Sequence, residues 1–252
     1  FLSYLMDTPH RWNSNNGRAN RPLSQTSIRH YYGCLRTFFN WLVDEGYMEV
    51  NPVLNIKSPR VGKKVITALS NEEVTILLNT FSRRKFEGVR NEAILMVLFD
   101  TGLRLSEVVN MQLEDINTSR QTILVTGKGD KQRFVRYGNR TAKALWKYLT
   151  LRDGLSQSLW VDRCGKAITQ DAITSLFKRL QRNTGIRVHC HKLRHSYAIS
   201  ALRNGMSPFV LQVSLGHATL DMTRRYTQSL GFEDVYREHQ TASPVDRMKR
   251  RG

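Results

Sequence analysis

Cysteine is scarce in this 252-residue chain, which holds three: Cys34, Cys164 and Cys190. They are odd in number, far apart and without a C-x-x-C pair, so neither a disulfide framework nor a zinc ribbon is indicated, and a reducing cytosol fits. Acidic residues are in deficit as well. Asp and Glu number 21 against 39 Lys and Arg, a net charge of +18. Such an excess needs a polyanion. No stretch reaches the roughly 20 apolar residues of a membrane span, and the start of the chain does not read as a signal peptide, so nucleic acid is favoured over an anionic membrane. A merely basic protein would share this composition, and charge alone does not name the chemistry.

What is present suffices for a buried core, since 40% of the residues are hydrophobic. The opening run Phe1-Leu2-Ser3-Tyr4-Leu5-Met6 reads as the end of a helix, from which an N-terminal truncation is expected. From Ser24 the apolar residues Ile28, Tyr31, Leu35, Phe38, Phe39 and Leu42 recur every three or four positions and predict one helix that Gly46 closes. Arg29 and Arg36 fall off that stripe, as phosphate contacts or as a solvated basic face. A stretch with Lys57, Pro59, Arg60, Gly62, Lys63 and Lys64 then suits a basic connector between domains, or an ordinary surface loop. The expected division is a partial helical domain over 1–57, a linker over 58–67 and a second domain over 68–252.

The second domain opens on a capping box, Ser70 with Glu73, ahead of Val74, Leu77 and Leu78. A buried helix is predicted from Asn91 through Phe99. Strands over 122–125 and 133–137 flank the turn Gly127-Lys128-Gly129-Asp130, which displays Lys128 at the tip of a hairpin. Further helices read over 141–151, 170–182, 191–204 and 208–215. The fold class is therefore mainly α with a small antiparallel β-sheet.

Four separated segments carry the chemistry: Thr101-Gly102-Leu103-Arg104-Leu105-Ser106-Glu107, Gly127-Lys128-Gly129, His191-Lys192-Leu193-Arg194-His195, and Leu215-Gly216-His217 with Tyr226 nine positions on. Together they resemble the tyrosine recombinase (phage integrase) family, the Xer-type enzymes above all, over nearly everything from Thr67 to Tyr226. The resemblance implies that Arg104 and Arg194 are the catalytic arginines, Lys128 the hairpin lysine, His191 and His217 the active-site histidines, Tyr226 the nucleophile and Glu107 a supporting acid. It also implies the family's catalytic fold, preceded by part of a helical core-binding domain, the two closing round duplex DNA as a clamp. The implied reaction is site-specific recombination, for integration or excision, through a 3′-phosphotyrosine and a Holliday junction, without metal, ATP or other cofactor. Four protomers would assemble on two sites. Phe232, Val235 and Tyr236 resemble the C-terminal helix that family members pack on a neighbouring protomer; folding back onto its own domain is the alternative.

Physics asks for the same residue types. Attack on a phosphodiester builds charge on non-bridging oxygens, and without a metal that charge needs fixed donors. A guanidinium stays charged and offers a planar fork that lysine cannot reproduce. Lys128 suits the general acid for the leaving 5′ oxygen, or a backbone contact such as Lys131 and Arg133 are expected to make. Tyr226 must lose a proton, and His191, three positions before Arg194 on one helical face, is a candidate base; His217 suits a hydrogen-bond donor to the phosphate. His195 and Tyr197 read as packing residues or as supports for the catalytic ones, not as catalytic themselves, and His189, Cys190, His191 and His195 match no standard metal spacing. A type IB topoisomerase, a protelomerase and a non-catalytic DNA-binding regulator are the alternatives, and the expected location is a bacterial-type cytoplasm, at the nucleoid.

Overall fold

The structure, a computed structural model, describes residues 4, 23–62, 67–127, 129, 131–152, 154, 156–231 and 234. Lys63, Lys64, Lys128, Phe232, Val235, Tyr236 and, apart from Tyr4, the opening run lie outside the described residues. The chain divides into two compact units, Phe1–Lys64 and Val65–Gly252. Among the described residues no helix is long and apolar enough to cross a membrane.

The first unit is built on helix α1 (Gln25–Asp44), whose N-cap Ser24 accepts a hydrogen bond from Ser27 N–H. Its stripe departs from the one predicted. Ile28 and Tyr32 are buried while Tyr31, Phe38 and Trp41 are exposed. Tyr32 turns inward because its hydroxyl donates to Ile56 O at 2.7 Å, tying the following turn back onto the helix. Asn51 does the same through Asn40 and the Arg36 carbonyl.

The second unit starts at the capping box, formed as expected: Glu73 N–H donates to Ser70 Oγ and Ser70 N–H to Glu73 Oε2. Helix α2 (Asn71–Asn79) leads to α3 (Phe86–Thr101), longer than predicted at both ends. Residues Val89, Ala93, Ile94, Leu95, Val97 and Leu98 are all buried on α3, so the helix is apolar nearly all round and runs through the core. After the short α4 (Leu105–Val109) comes an antiparallel meander of β1 (Ile116–Asn117), β2 (Thr122–Thr126) and β3 (Gln132–Arg136). β1 was not predicted, since two residues carry no readable alternation. Register pairs Ile123 with Val135 and Val125 with Arg133, and Gly127 N–H donates to Lys131 O to close the hairpin.

Helices α5 (Asn139–Leu151), α6 (Gln170–Thr184), α7 (Cys190–Arg203), α8 (Pro208–Leu215) and α9 (Leu220–Thr227) complete the unit. α3 packs on α5 and α7, and Tyr148 stacks on Trp160 at 5.2 Å in the main core. A second cluster joins Ala198, Ile199 and Leu202 of α7 with Leu211 and Leu215 of α8 and Tyr226 of α9. Burying these side chains fixes three helices around one end of α3.

Tyr148 is fully buried, and its hydroxyl donates to Leu159 O at 2.9 Å while accepting from Val161 N–H at 3.0 Å. Tyr148→Phe should therefore cost about 1–3 kcal/mol, because it leaves a buried N–H unpaired. Urea unfolding should show a lower midpoint with an unchanged slope; an unchanged midpoint would contradict this account of the core.

Candidate active site

Two helix ends create the floor of the site. α3 stops at Gly102 and α8 at Gly216, each at φ 63°, the left-handed conformation that terminates a helix. That φ strains any side chain at either place, and the space is tight: a Cβ on Gly102 would run into Tyr197 and lie 2.9 Å from Leu215 Cδ2, and one on Gly216 would crowd the Arg133 guanidinium at 3.0 Å. Arg194, buried on α7, donates through Nη1 to Gly102 O and through Nη2 to Leu215 O, both at 2.7 Å. Burial, with the charge of Arg104 nearby, lowers its pKa to about 10, so it stays a cation at neutral pH.

Arg104 occupies the N-cap of α4 because the chain turns there from the Gly102 bend. Its backbone N–H donates to Glu107 Oε2 at 2.8 Å and its Nη1 to Glu107 Oε1 at 3.0 Å. The side chain remains 40% exposed, open to a ligand. Glu107 is buried and also receives Arg133 Nη1 and Nη2 at 3.1 and 3.0 Å, while Arg133 Nε donates to Ser214 O at 2.9 Å. One carboxylate thus orients two guanidiniums from α4 and β3.

His217 follows the Gly216 bend, and its Nδ1 is 2.8 Å from Thr223 Oγ1, a fully buried hydroxyl on α9. With the threonine donating, Nε2 of His217 carries the proton and is a donor. Burial and then the charges of Arg194 and Arg104 lower this histidine to about 4, so the ring is neutral. Tyr226, three residues after Thr223 and on the same helical face, is 3% exposed. Its ring stacks on His217, and its oxygen lies 3.1 Å from His195 Nδ1. Burial raises the phenol's pKa, against the lowering charge of Arg194.

Arg104, His191, Arg194, His217 and Tyr226 line one cavity of about 350 Å³, with His195, Met222 and Arg225. A larger groove beside it shares Arg104 and His217 and runs along the hairpin past Lys131 and Arg133. Anchored donors on several sides, a phenol and an open groove make a site suited to a phosphodiester in a long polyanion.

Comparison with known proteins agrees. The phage integrase family matches residues 67–231. Tyrosine recombinase XerC of Alcanivorax borkumensis is 33% identical over 229 residues, covering 88% of this chain and 74% of the relative. The chain belongs to the phage integrase family. Tyrosine recombinase XerD of Listeria monocytogenes is 30% identical, over 85% of this chain and 76% of its own length. The crystal structure of XerH site-specific recombinase bound to palindromic difH substrate, a post-cleavage complex, superposes with a TM-score of 0.68 at 25% identity, covering 89% of this chain and 68% of that one. By this membership the chain is a tyrosine recombinase, an enzyme, on the mainly helical fold with a small sheet that its sequence implies.

Within this recombinase, five of the six residues read as catalytic come together; the sixth, Lys128, is outside the described residues, as are Lys63 and Lys64. Arg29 and Arg36 are exposed on α1, and Lys131 on the hairpin groove. One expectation changes. Arg133, expected to contact DNA backbone, turns its guanidinium inward onto Glu107 and Ser214. Alternation held the signal, since Arg133 shares a face with the buried Val135 and Tyr137. His195, expected to pack or to support the catalytic residues, meets the phenol. Thr223 was not singled out, although its spacing to Tyr226 placed both on one face.

Removing one partner of a buried, hydrogen-bonded ion pair is costly, so Arg133→Ala should lose about 3–5 kcal/mol of stability, while Lys131→Ala stays within about 0.5 kcal/mol; equal effects in chemical denaturation would contradict the inward assignment. Burial alone would raise Glu107, but the hydrogen bonds from Arg133 and Arg104 outweigh it and hold the carboxyl below 4.5. A depressed carboxyl stabilises the fold above its unfolded value, and that contribution is lost as pH falls through the folded one. The stability gap between wild type and Glu107→Gln should therefore be full at neutral pH and narrow below pH 4.5.

Proposed function

We propose that this chain cuts and rejoins duplex DNA at specific sites by attack of Tyr226 on a phosphodiester, leaving a 3′-phosphotyrosine and a free 5′-hydroxyl. The observation that carries this is Arg194: a buried guanidinium with backbone carbonyls as partners, lining the same cavity as the half-exposed Arg104 and the Tyr226 phenol. Such a cavity holds cationic charge that a phosphate neutralises, and the charge matters most as it develops in the five-coordinate transition state. His217 Nε2 donates to the same phosphate, and Lys128, between β2 and β3 in sequence, protonates the leaving 5′ oxygen. Religation reverses the steps and needs no ATP, since the phosphotyrosine retains the energy of the broken bond.

In the same proposal, residues up to 57 form a helical DNA-binding domain, 58–67 a basic linker, and 68–252 the catalytic domain. Arg29, Arg36, Lys63, Lys64 and Lys131 touch backbone phosphates. Four protomers act on two sites through a Holliday junction, joined by the C-terminal segment, and the enzyme resides at the nucleoid. The net charge of +18 and the groove beside the cavity support the DNA partner.

Nicked duplexes enriched from a randomised library for retention on the protein provide the substrate. In EDTA, wild type should yield a denaturant-resistant adduct and Tyr226→Phe none; equal adduct from both would remove the nucleophile. Arg104→Lys should slow adduct formation by on the order of 10²-fold. Affinity for duplex DNA should fall with salt, with a logarithmic slope of about −0.9 per phosphate neutralised; a flat salt response would rule out phosphate-based binding.

A further inference from the structure

Helix α5 carries charge of one sign only. Its sequence holds Arg140, Lys143 and Lys147 and no acidic residue. Spacings of three and four put these cations on a single face, where like charges repel. Arg140 and Lys143 are exposed there. Asp100 of α3 meets the start of the helix, but it accepts from Gly138 N–H and Thr141 Oγ1 and pairs with no cation among the described residues.

The loop before α3 adds to the same surface. Lys147 Nζ donates to Arg83 O at 2.9 Å, which lays the exposed run Arg83, Arg84 and Lys85 alongside α5. The acids nearby in sequence are already engaged, Glu92 with Arg83 and Glu87 with Arg163. Among the described residues Arg84, Lys85, Arg140 and Lys143 therefore have no ion-pair partner. Beside Lys143, three positions on and one turn along the helix, stands Trp146, 68% exposed. Its ring makes no aromatic or cation–π pair among the described residues. A lone exposed aromatic is ordinary. An indole set among unpaired cations is the combination that holds a nucleic-acid strand, the cations on its phosphates and the ring on a base.

None of these residues lines the cavity or the groove beside it. α3 packs on α5 and also on α7, the helix of Arg194, so the two surfaces belong to different helices around one core element. We propose that the outer face of α5, with the loop before α3, is a second DNA-binding surface, one that takes an unpaired strand. The indole decides for a single strand, because in a duplex both faces of each base are covered by its neighbours. Preference for DNA over RNA rests on the reaction proposed above, in which strands part and exchange; the surface itself does not depend on Tyr226.

The test keeps the full chain and saturates its groove with the nicked duplexes selected above, then adds a fluorescent oligothymidine of about 12 nucleotides and follows anisotropy. A ternary complex should form. Trp146→Ala should weaken it about 10-fold, the effect of one lost base stack, and Trp146→Phe should retain most of the affinity. Arg140→Gln with Lys143→Gln should lower the logarithmic salt slope by about 1.4, at about 0.7 per phosphate on a single strand. Adduct formation on the nicked duplex should stay within twofold of wild type in all three variants. Displacement of the duplex by the oligothymidine, unchanged affinity in Trp146→Ala, or equal competition by a short duplex would overturn the inference. So would tighter binding of oligouridine, which would name RNA, or a response of Trp146→Ala confined to phosphatidylserine vesicles, which would name a membrane. Should a variant misfold, wild type decides alone: an iodouracil-substituted oligothymidine must photo-crosslink to the peptide holding Trp146, and a crosslink confined to other peptides overturns the assignment. Absence of the Tyr226 adduct in wild type would bring down the recombination chemistry instead, and is read on a separate gel.

Discussion

A guanidinium buried to 4% exposure with backbone carbonyls as its partners is the constraint on which the site depends. Taking such an ion out of water costs several kcal/mol even after relaxation. The offset comes from the ends of α3 and α8, where unpaired carbonyls concentrate about half a negative charge at each helix C-terminus. Those ends converge because Gly102 and Gly216 take the left-handed conformation and leave no side chain between the bend and its neighbours. Helix termination, glycine placement and the position of Arg194 are thus one arrangement. A larger residue at either bend disturbs all three.

Charge bookkeeping explains why the arrangement waits for an anion. The cavity is lined by Arg104, Arg194 and Arg225 and, among the described residues, by no carboxylate, while Glu107 bonds to Arg104 and Arg133 beside it, so the walls carry a net positive charge. His195 and His217 add nothing at neutral pH, both being lowered to about 4. A phosphodiester carries one negative charge and its five-coordinate transition state carries two. A fixed positive excess therefore gains more from the transition state than from the ground state, the condition for speeding a reaction rather than merely binding its substrate. Glu107 limits that excess. Without it the two guanidiniums it holds would repel and disperse, and with a second carboxylate the excess would fall by one.

Much of this was legible in the sequence where a residue's role follows from local pattern. The box of Ser70 and Glu73, the hairpin around Gly127 and the helix opened by Pro208 needed only caps, turns and periodicity. The six residues of the recombinase pattern were recognisable because chemistry restricts their types, and five of them line one cavity. What stayed hidden depended on distance along the chain. Glu107 and Arg133 are 26 residues apart, and no spacing rule joins them. Charge suggested a DNA contact for Arg133, but the alternation of β3 already placed it beside Val135, and burial decided for the inside. The contact of His195 with Tyr226 was not foreseen, because a histidine next to an arginine on a helix reads only as packing or support until α9 is seen to lay its tyrosine across it. Tyr32 replaced Tyr31 in the core of α1 for a like reason, its hydroxyl finding the Ile56 carbonyl.

The proposed nucleophile also belongs to a core. Tyr226 shares its cluster with Ile199, Leu211 and Leu215, and α9 has only eight residues, too few to hold a helix in water unaided. What keeps α9 in place is tertiary: the ring among those side chains, Thr223 on His217, and the phenol on His195. The two histidines beside the cavity are therefore among the groups that fix where the phenol lies. Their contributions are bound to be non-additive, because removing either histidine loosens the helix that the other must meet. A tyrosine anchored this way, in the proposed reaction, would attack from a defined position, with the hydrophobic cluster beneath it setting the aim of the reacting oxygen.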